Sequence, residues 1–474
     1  MAVETTLRTR LGSALHAAQT WGGPIIIGLF AVALCNAPMI IVQNNFSIDR
    51  AIINIDYALV LIFLTRSEIS ASILLFILII CECFIELSEL FRVDLFQSIN
   101  AVKFGVALGA FKNIYASIAI IFILLCGFLI LFIKIMKFFT KKTNAYGIIF
   151  SVIIIFVIDV AVGPNRLINS PRALIRFNIA GSSSLRAWDA WRARFNIAEK
   201  IRPAQGATSL NWQPTPNRRL LLIIIESWGM PSSRGSHPYM LDSLLTSKVK
   251  DQFLYRTGVV AFHNSTSGAE LRELCAVRSA FTPSAKINGL GCLPARLAKL
   301  GYQTVAFHGY SGGFYDRKSW YPRLGFKRSI FLENIEHDRM MRRCGAAFRG
   351  ICDVDMAQLI GRSLREEPTK PKLVYWVTLS SHLPVTTEAG AQSNYDCNPL
   401  IAAGSGNLCN LFRSWDVTLS AIADMISRPK MPPTDVIIVG DHAPPFVSRD
   451  DNVAFSNTMV PWVALTPRHA SEAR

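Results

Sequence analysis

Charge is scarce in this chain. Asp, Glu, Lys and Arg make up 17% of its 474 residues, against about 25% in ordinary soluble domains. Acids are the scarcer sign: 33 Asp and Glu face 49 Lys and Arg, a formal net charge of +16. There is no internal repeat, which excludes a solenoid, and no low-complexity tract, which excludes a long disordered linker. No nucleic-acid recognition motif accompanies the basic excess, so it reads as attraction to anionic phospholipid head groups and not to nucleic acid.

Hydrocarbon takes the place of charge. Hydrophobic residues reach 51% and the mean hydropathy is +0.32. The excess collects in the first third, as Pro24–Gln43, Ala51–Thr65, Ser70–Leu90, Asn113–Ile133 and Tyr146–Gly163. Crossing a bilayer takes roughly 20 apolar residues; the second stretch is short but extendable by its flanks, so five spans are expected. No small-residue cleavage site follows the first, which argues against a signal peptide. Lys134, Lys137, Lys141 and Lys142, between the fourth and fifth spans, fall on the same side as Arg8 and Arg10. Basic loops stay cytoplasmic, which puts the chain after Gly163 outside the cytoplasm.

This gives a transmembrane domain at 1–163, a connector at 164–215 and an extracytoplasmic domain at 216–474. In the connector, "WDAWRARF" at 188–195 sets Trp188, Trp191 and Phe195 at helical spacing beside Arg192 and Arg194. That pattern suits either a helix in the membrane interface or one packed on the soluble domain. Four of the 10 cysteines lie in the apolar stretches; Cys275, Cys292, Cys344, Cys352, Cys397 and Cys409 lie in the C-terminal region. An even set in an exported domain suggests disulfides, with sequence neighbours 275–292, 344–352 and 397–409 as one of many connectivities.

From Arg219 the pattern changes to short apolar runs between amphipathic helices. "RRLLLIIIESWG" at 218–229 has six aliphatics ending on an acid, and "QTVAFHG" at 303–309, "KLVYWVTLSSH" at 372–382 and "DVIIVGDH" at 435–442 look the same. Runs of that length fit strands buried on both faces, in an α/β domain with a mainly parallel central sheet. Ligands bind beyond the carboxyl ends of such strands. Glu226, His308, His382 and the pair Asp441–His442 therefore converge on one expected site.

Two carboxylates and an imidazole, Glu226, Asp441 and His442, suit one divalent ion, Zn²⁺ or Mn²⁺. Between the first two of these runs, Ser267 and Glu270 in "STSGAELREL" match a capping box that starts a helix. Thr266, just before that cap, would face the anion-favouring end of the helix. Metal coordination, which adds Thr266 to the ligand set, would make its hydroxyl a nucleophile. Ser265 and Ser267 compete for that role on local sequence alone.

Here the chain resembles the alkaline phosphatase/sulfatase superfamily, in the membrane branch of lipoteichoic acid synthases, phosphoglycerol transferases and phosphoethanolamine transferases. Thr266-Ser267-Gly268-Ala269-Glu270 is similar to the Thr-Ser-Asp-Ala-Glu stretch holding that family's nucleophile. Glu226-Ser227 and "VIIVGDHAPP" look like its metal-binding Glu-Ser and Gly-Asp-His motifs. "GFYDR" at 313–317 and "LSSHLP" at 379–384 stand where the family binds its phospho-alcohol. The resemblance implies substrate contacts from Tyr315, Arg317, His382 and His308, with His382 also able to protonate the leaving alcohol.

It further implies a multi-pass protein of the bacterial inner membrane with its catalytic domain in the periplasm or outside the cell. The expected reaction is metal-dependent transfer of a phospho-alcohol, phosphoglycerol first, from a membrane phospholipid donor through phospho-Thr266 to a glycan or glycolipid acceptor. The cysteine layout resembles the phosphoethanolamine transferases instead, although their further His-Gly after the Asp-His pair is missing here. A sulfatase would need a Cys or Ser in a C/S-x-P-x-R motif, and "CAVRS" lacks the proline and the spacing. A phosphodiesterase would share all of these site residues. Glu82, Glu86 and Glu89 share one helical face of the third span, where they would meet a cationic head group or connector arginines, or else pack between spans.

Overall fold

The computed structural model of the protein describes residues 23–34, 36–37, 53–90, 127, 131, 133–138, 145–162, 180–182, 184–185 and 187–188, then 201–214, 218–232, 241–263, 265–279, 291–335, 340–346, 348–367, 369–402, 404–446 and 449–468. Two compact units divide the chain, the second carrying Asn196–Arg474.

In the first unit, β1 (Ile53–Asn54) pairs in parallel with β2 (Ala180–Gly181), and the helices include α1 (Asp56–Leu64), α2 (Glu68–Leu90) and α3 (Ala145–Val162). Among the described residues one helix is long and apolar enough to cross a membrane: α2, whose segment Glu68–Ile85 has a mean hydropathy of 2.3. Gly23–Leu34 and Tyr146–Ile155 are apolar but shorter. Five spans are therefore not seen. The expected second span holds β1 and a helix of 9 residues, which at ~1.5 Å per residue covers under half of a ~30 Å hydrocarbon core. Asn113–Ile133 and the helix expected at 188–195 lie almost wholly outside the described residues.

Along α2, Ile69, Ile73, Ile77 and Ile80 are exposed while Ala71, Leu75, Leu78 and Ile85 are buried, one apolar face outward and one inward. Glu82 lies on the inward face and accepts a 2.5 Å hydrogen bond from Tyr57 Oη of α1. Among the described residues Tyr57 is thus one partner of Glu82; the side chains of Glu86 and Glu89 lie outside the described residues.

The second unit is built on a seven-stranded sheet of order β5-β13-β12-β4-β11-β7-β8. The four expected strands are its centre: β12 (Thr434–Gly440), β4 (Arg219–Ile225), β11 (Lys372–Val377) and β7 (Gln303–His308), all parallel. Every side chain of β4, β11 and β12 is buried, which is why each carries a continuous apolar run. Outside them lie β8 (Arg328–Ile330), parallel to β7, then β13 (Met459–Pro467), antiparallel to β12, and β5 (Phe253–Ala261), antiparallel to β13. The edge strand β5 is mostly exposed and so carries no apolar run to betray it.

Part of the segment read as connector is joined to this domain. β3 (Ile201–Pro203) pairs antiparallel with β6 (Val277–Ser279). Helix α4 (Ala207–Asn211) gives the N–H groups of Ala207 and Thr208 to buried Glu273, at 3.1 and 2.8 Å.

Among the described residues three disulfides join sequence neighbours: Cys275–Cys292, Cys344–Cys352 and Cys397–Cys409. The first closes a separation of 17 residues, for which chain entropy gives about 3 kcal/mol. The double variant Cys275→Ser/Cys292→Ser should lose about that much in urea unfolding.

Candidate active site

At the carboxyl end of β4 the chain is pinned before it delivers its acid. Glu226 N donates to Thr378 Oγ1 at 2.9 Å, and Glu226 O accepts from Ser381 Oγ at 2.6 Å. Ser227 turns the backbone with φ +56°, so that its N–H reaches Asp441 Oδ1 at 2.7 Å and its hydroxyl Glu226 Oε1 at 3.1 Å. Asp441 follows β12, the neighbour of β4; its own N–H donates to Ile225 O at 3.2 Å. Adjacent strand ends thus set two carboxylates side by side.

Thr266 is brought to them by α5 (Thr266–Cys275). Its hydroxyl lies 3.0 Å from Asp441 Oδ2 and 3.2 Å from Glu226 Oε2. The expected capping box does not form. Ser265 is the N-cap, its hydroxyl 3.1 Å from that of Ser267, and no side chain caps the helix. Thr266 is the first helical residue, where the exposed N–H groups of the terminus favour an anion.

Glu226, Asp441 and His442 form a group whose ligand atoms all lie within 4.8 Å of one another. Burial raises the pKa of Glu226, and the charge of Asp441 adds to it. Burial likewise pushes Asp441 up to about 7, against the pull of its N–H donors. His442 Nδ1 donates to Ala443 O at 2.9 Å, which turns its Nε2 toward Asp441 Oδ2 at 3.2 Å and Glu226 Oε1 at 3.6 Å. Two buried carboxylates and an imidazole nitrogen whose atoms converge within 4.8 Å are the oxygen and nitrogen donor set that fits a divalent ion.

A second group lies beside the first, on β7 and α6 (Arg317–Leu324). Arg317 is 1% exposed. Its Nε and Nη2 donate to Glu270 at 3.2 and 3.1 Å, and its Nη1 to His308 Nε2 at 3.3 Å. Burial alone would pull its pKa down, but Glu270 outweighs that and the guanidinium stays charged. Glu270 also accepts from Tyr321 Oη and, at 3.1 Å, from Tyr375 Oη. Tyr315, at φ +54°, lays its ring 5.3 Å from Arg317 Cζ. Burial, and the carboxylates of Glu226, Glu270 and Asp441 against the opposing charge of Arg317, push its phenol up to about 12.

His308 is held from both sides. Its Nδ1 lies 3.1 Å from Val377 O, a carbonyl that can only accept, so Nδ1 carries the proton and Nε2 receives Arg317. Both nitrogens have partners inside the protein, and the ring aims Arg317. Burial, then the charge of Arg317, hold its pKa well below 6.5. Below about pH 6.5 the unfolded chain takes a proton that folded His308 refuses. Stability should fall on acidification by up to about 1.4 kcal/mol per pH unit, with no effect above the unfolded pKa. His308→Gln should flatten that slope in unfolding curves between pH 7.5 and 5.5.

His382, half-buried after β11, donates from Nδ1 to Leu383 O at 2.8 Å, and its charge bears on Glu226. Sequence reasoning missed Ser227, Thr378, Tyr321 and Tyr375. Glu270 it placed in a helix cap.

The sequence profile of the family described as Sulfatase matches residues 218–471. No curated protein matches the chain. Among solved structures, the lipoteichoic acid synthase LtaP from Listeria monocytogenes is 16% identical with a TM-score of 0.40, over 52% of this chain and 65% of that one, just under two thirds of its length. The phosphoglycerol transferase GacH of Streptococcus pyogenes, in complex with sn-glycerol-1-phosphate, is 17% identical with a TM-score of 0.38, over 54% and 71%. The C-terminal periplasmic domain of EptC from Escherichia coli, in complex with Zn, is 15% identical with a TM-score of 0.36, over 58% and 78%. With the profile covering more than half of the 474 residues and Thr266, Glu226, Asp441 and His442 gathered inside it, the chain belongs to the sulfatase family of the alkaline phosphatase superfamily.

Proposed function

We propose that this sulfatase-family enzyme transfers the phospho-alcohol head group of a membrane phospholipid to a glycan or glycolipid acceptor, through an intermediate on Thr266. The observation that carries the reading is the Thr266 hydroxyl, at a helix N-terminus and within 3.0 and 3.2 Å of Asp441 and Glu226. Its proton points at those carboxylates, which leaves oxygen lone pairs free to attack phosphorus. The Thr266 Oγ1–P bond forms as the hydroxyl proton passes to Asp441 and the bond from phosphorus to the diacylglycerol oxygen breaks, with His382 as the group that protonates that oxygen. In the second step the acceptor hydroxyl gives its proton to His382 and attacks the same phosphorus, while the Thr266 oxygen leaves and takes its proton back from Asp441. Arg317, held by Glu270 and His308, offers a planar fork to the phosphoryl oxygens in both steps.

Glu226, Asp441, His442 and Thr266 would hold one divalent ion, Zn²⁺ or Mn²⁺ by their chemistry. Such an ion lowers the pKa of a bound hydroxyl and offsets phosphoryl charge. The transmembrane domain at 1–163, the connector at 164–215 and an extracytoplasmic domain at 216–474 belong to this reading. They place the site at the outer face of a bacterial inner membrane, where the donor lies in the bilayer. The outward apolar face of α2 supports it. Phosphoglycerol is the head group favoured by the residues around Arg317, by their resemblance to the phospho-alcohol motifs. The three neighbour disulfides favour phosphoethanolamine as the second reading.

Purified protein given mixed phospholipid vesicles should release diacylglycerol, faster when a glycan acceptor is added. Thr266→Ala should lower release by at least about 10³-fold. Release that ignores the acceptor would point to a phosphodiesterase, and undiminished release by Thr266→Ala would overturn the reading.

A further inference from the structure

Arg317 and Thr266 are suited to the phosphate; neither accounts for the alcohol attached to it. On the His382 side the site is walled by aromatic rings. Phe348 lies 4.3 Å from the His382 ring, centroid to centroid, and 4.8 Å from Phe314. Tyr310 meets both phenylalanines edge-on, at 5.5 Å from Phe314 and 5.6 Å from Phe348. Phe314 in turn lies 4.4 Å from Tyr315, the ring under Arg317. The rings therefore run without a break from His382 to the guanidinium. Tyr310 is buried, whereas Phe348 is half-buried beside His382.

Phe348 is delivered by a dedicated device. It sits between β9 (Arg343–Cys344) and β10 (Gly350–Ile351), a two-rung antiparallel hairpin closed by Cys344–Cys352. Ile351 N donates to Gly309 O at 2.8 Å, which docks the hairpin on the residue following β7. A Cβ at Gly350 would collide with Gly309 O, so the two backbones touch. Gly345 turns at φ +99°, and a Cβ there would strike Phe348 O. A hairpin this short has little stability of its own. The disulfide and the docking on Gly309 hold its ring against His382.

We propose that Phe348 is the specificity-determining residue for the alcohol part of the transferred head group, and that the Cys344–Cys352 hairpin exists to hold it there. The ligand is the carbon skeleton of a short alcohol esterified to phosphate, glycerol or ethanolamine. Ring faces cover its C–H edges, and an ammonium gains further from the ring quadrupole. This rests on the proposed transfer, and the test separates the two.

The test follows the Thr266 phospho-alcohol adduct by intact mass while phosphatidylglycerol and phosphatidylethanolamine are titrated separately in detergent micelles. In Phe348→Ala the half-saturating concentration of the donor that loads the wild type should rise about tenfold, with the limiting loading rate within about threefold. Phe348→Tyr, which keeps the ring face, should restore it, and Phe348→Leu, which keeps bulk without the face, should not. Cys344→Ser should behave like Phe348→Ala among folded molecules, whereas Cys397→Ser should behave like the wild type. Wild-type loading with unchanged half-saturation in Phe348→Ala and Phe348→Leu would overturn the proposal and leave the transfer reading standing. A fall in limiting rate at unchanged half-saturation would also overturn it, because the ring would then be supporting His382. No adduct in the wild type with any donor would remove the transfer reading itself.

Discussion

Asp441→Asn is expected to lower turnover by about 10² to 10³-fold with little change in volume. Asp441 Oδ1 accepts two backbone N–H groups, from Ser227 at 2.7 Å and His442 at 2.6 Å, while Oδ2 accepts from Thr266. In the variant the amide oxygen must serve the two N–H donors. The amide NH2 is then turned toward the Thr266 hydroxyl, offering a donor where an acceptor stood. The same turn removes one anionic oxygen from the set facing His442 Nε2, so bound Zn²⁺ or Mn²⁺ should fall as well. Metal content by elemental analysis checks that second outcome without any assay of activity. In the wild type, chelation should lower the unfolding temperature, because an ion held by the folded site stabilises it in proportion to its binding; in Asp441→Asn chelation should change little.

Glu270→Gln should cost about 3 to 5 kcal/mol of stability and about 10²-fold in kcat/KM, which is about 2.7 kcal/mol. Glu270 is fully buried and is the acceptor for Arg317, Tyr321 and Tyr375 together. Glutamine keeps the shape but leaves the guanidinium without its buried counter-charge, and one face of the amide now meets donors with a donor. Arg317 would swing from the angle at which its fork meets phosphate. Urea unfolding reads the first effect and diacylglycerol release the second. Tyr321→Phe, which deletes one donor and keeps the charge pair, should cost only about 1 kcal/mol and leave kcat/KM within a few-fold. Equal losses in the two variants would mean that Arg317 is not positioned by charge.

The residues legible in the sequence were those that end a strand buried on both faces. Such a strand appears as an aliphatic run, and whatever follows it lies at the sheet's carboxyl edge, so Glu226, His308, His382 and Asp441–His442 could be placed without coordinates. Thr266 was legible through the helix that starts beside it, although the cap proved to be Ser265. Glu270 misled for a physical reason. The S-x-x-E pattern met the local rule for a capping box, but Thr266 itself begins the helix, which turns Glu270 inward to Arg317. Tyr321 and Tyr375 carried no signal, because a buried tyrosine in a helix or strand looks like core. Phe348 sits in a two-rung hairpin with no periodicity to read. In the first unit hydropathy marked apolar length but could not show that Ile53 and Asn54 pair with Ala180 and Gly181, which cuts α1 to nine residues.

The central claim is that Thr266 carries the head group between donor and acceptor. Intact-mass measurement of the purified protein, incubated with mixed phospholipids and no acceptor, tests it most directly. The wild type should gain the mass of one phospho-alcohol, phosphoglycerol first, lose it again when acceptor is added, and show no gain as Thr266→Ala. A wild type that releases diacylglycerol with no adduct on a rapid-quench timescale, or an adduct that persists in Thr266→Ala, would contradict it.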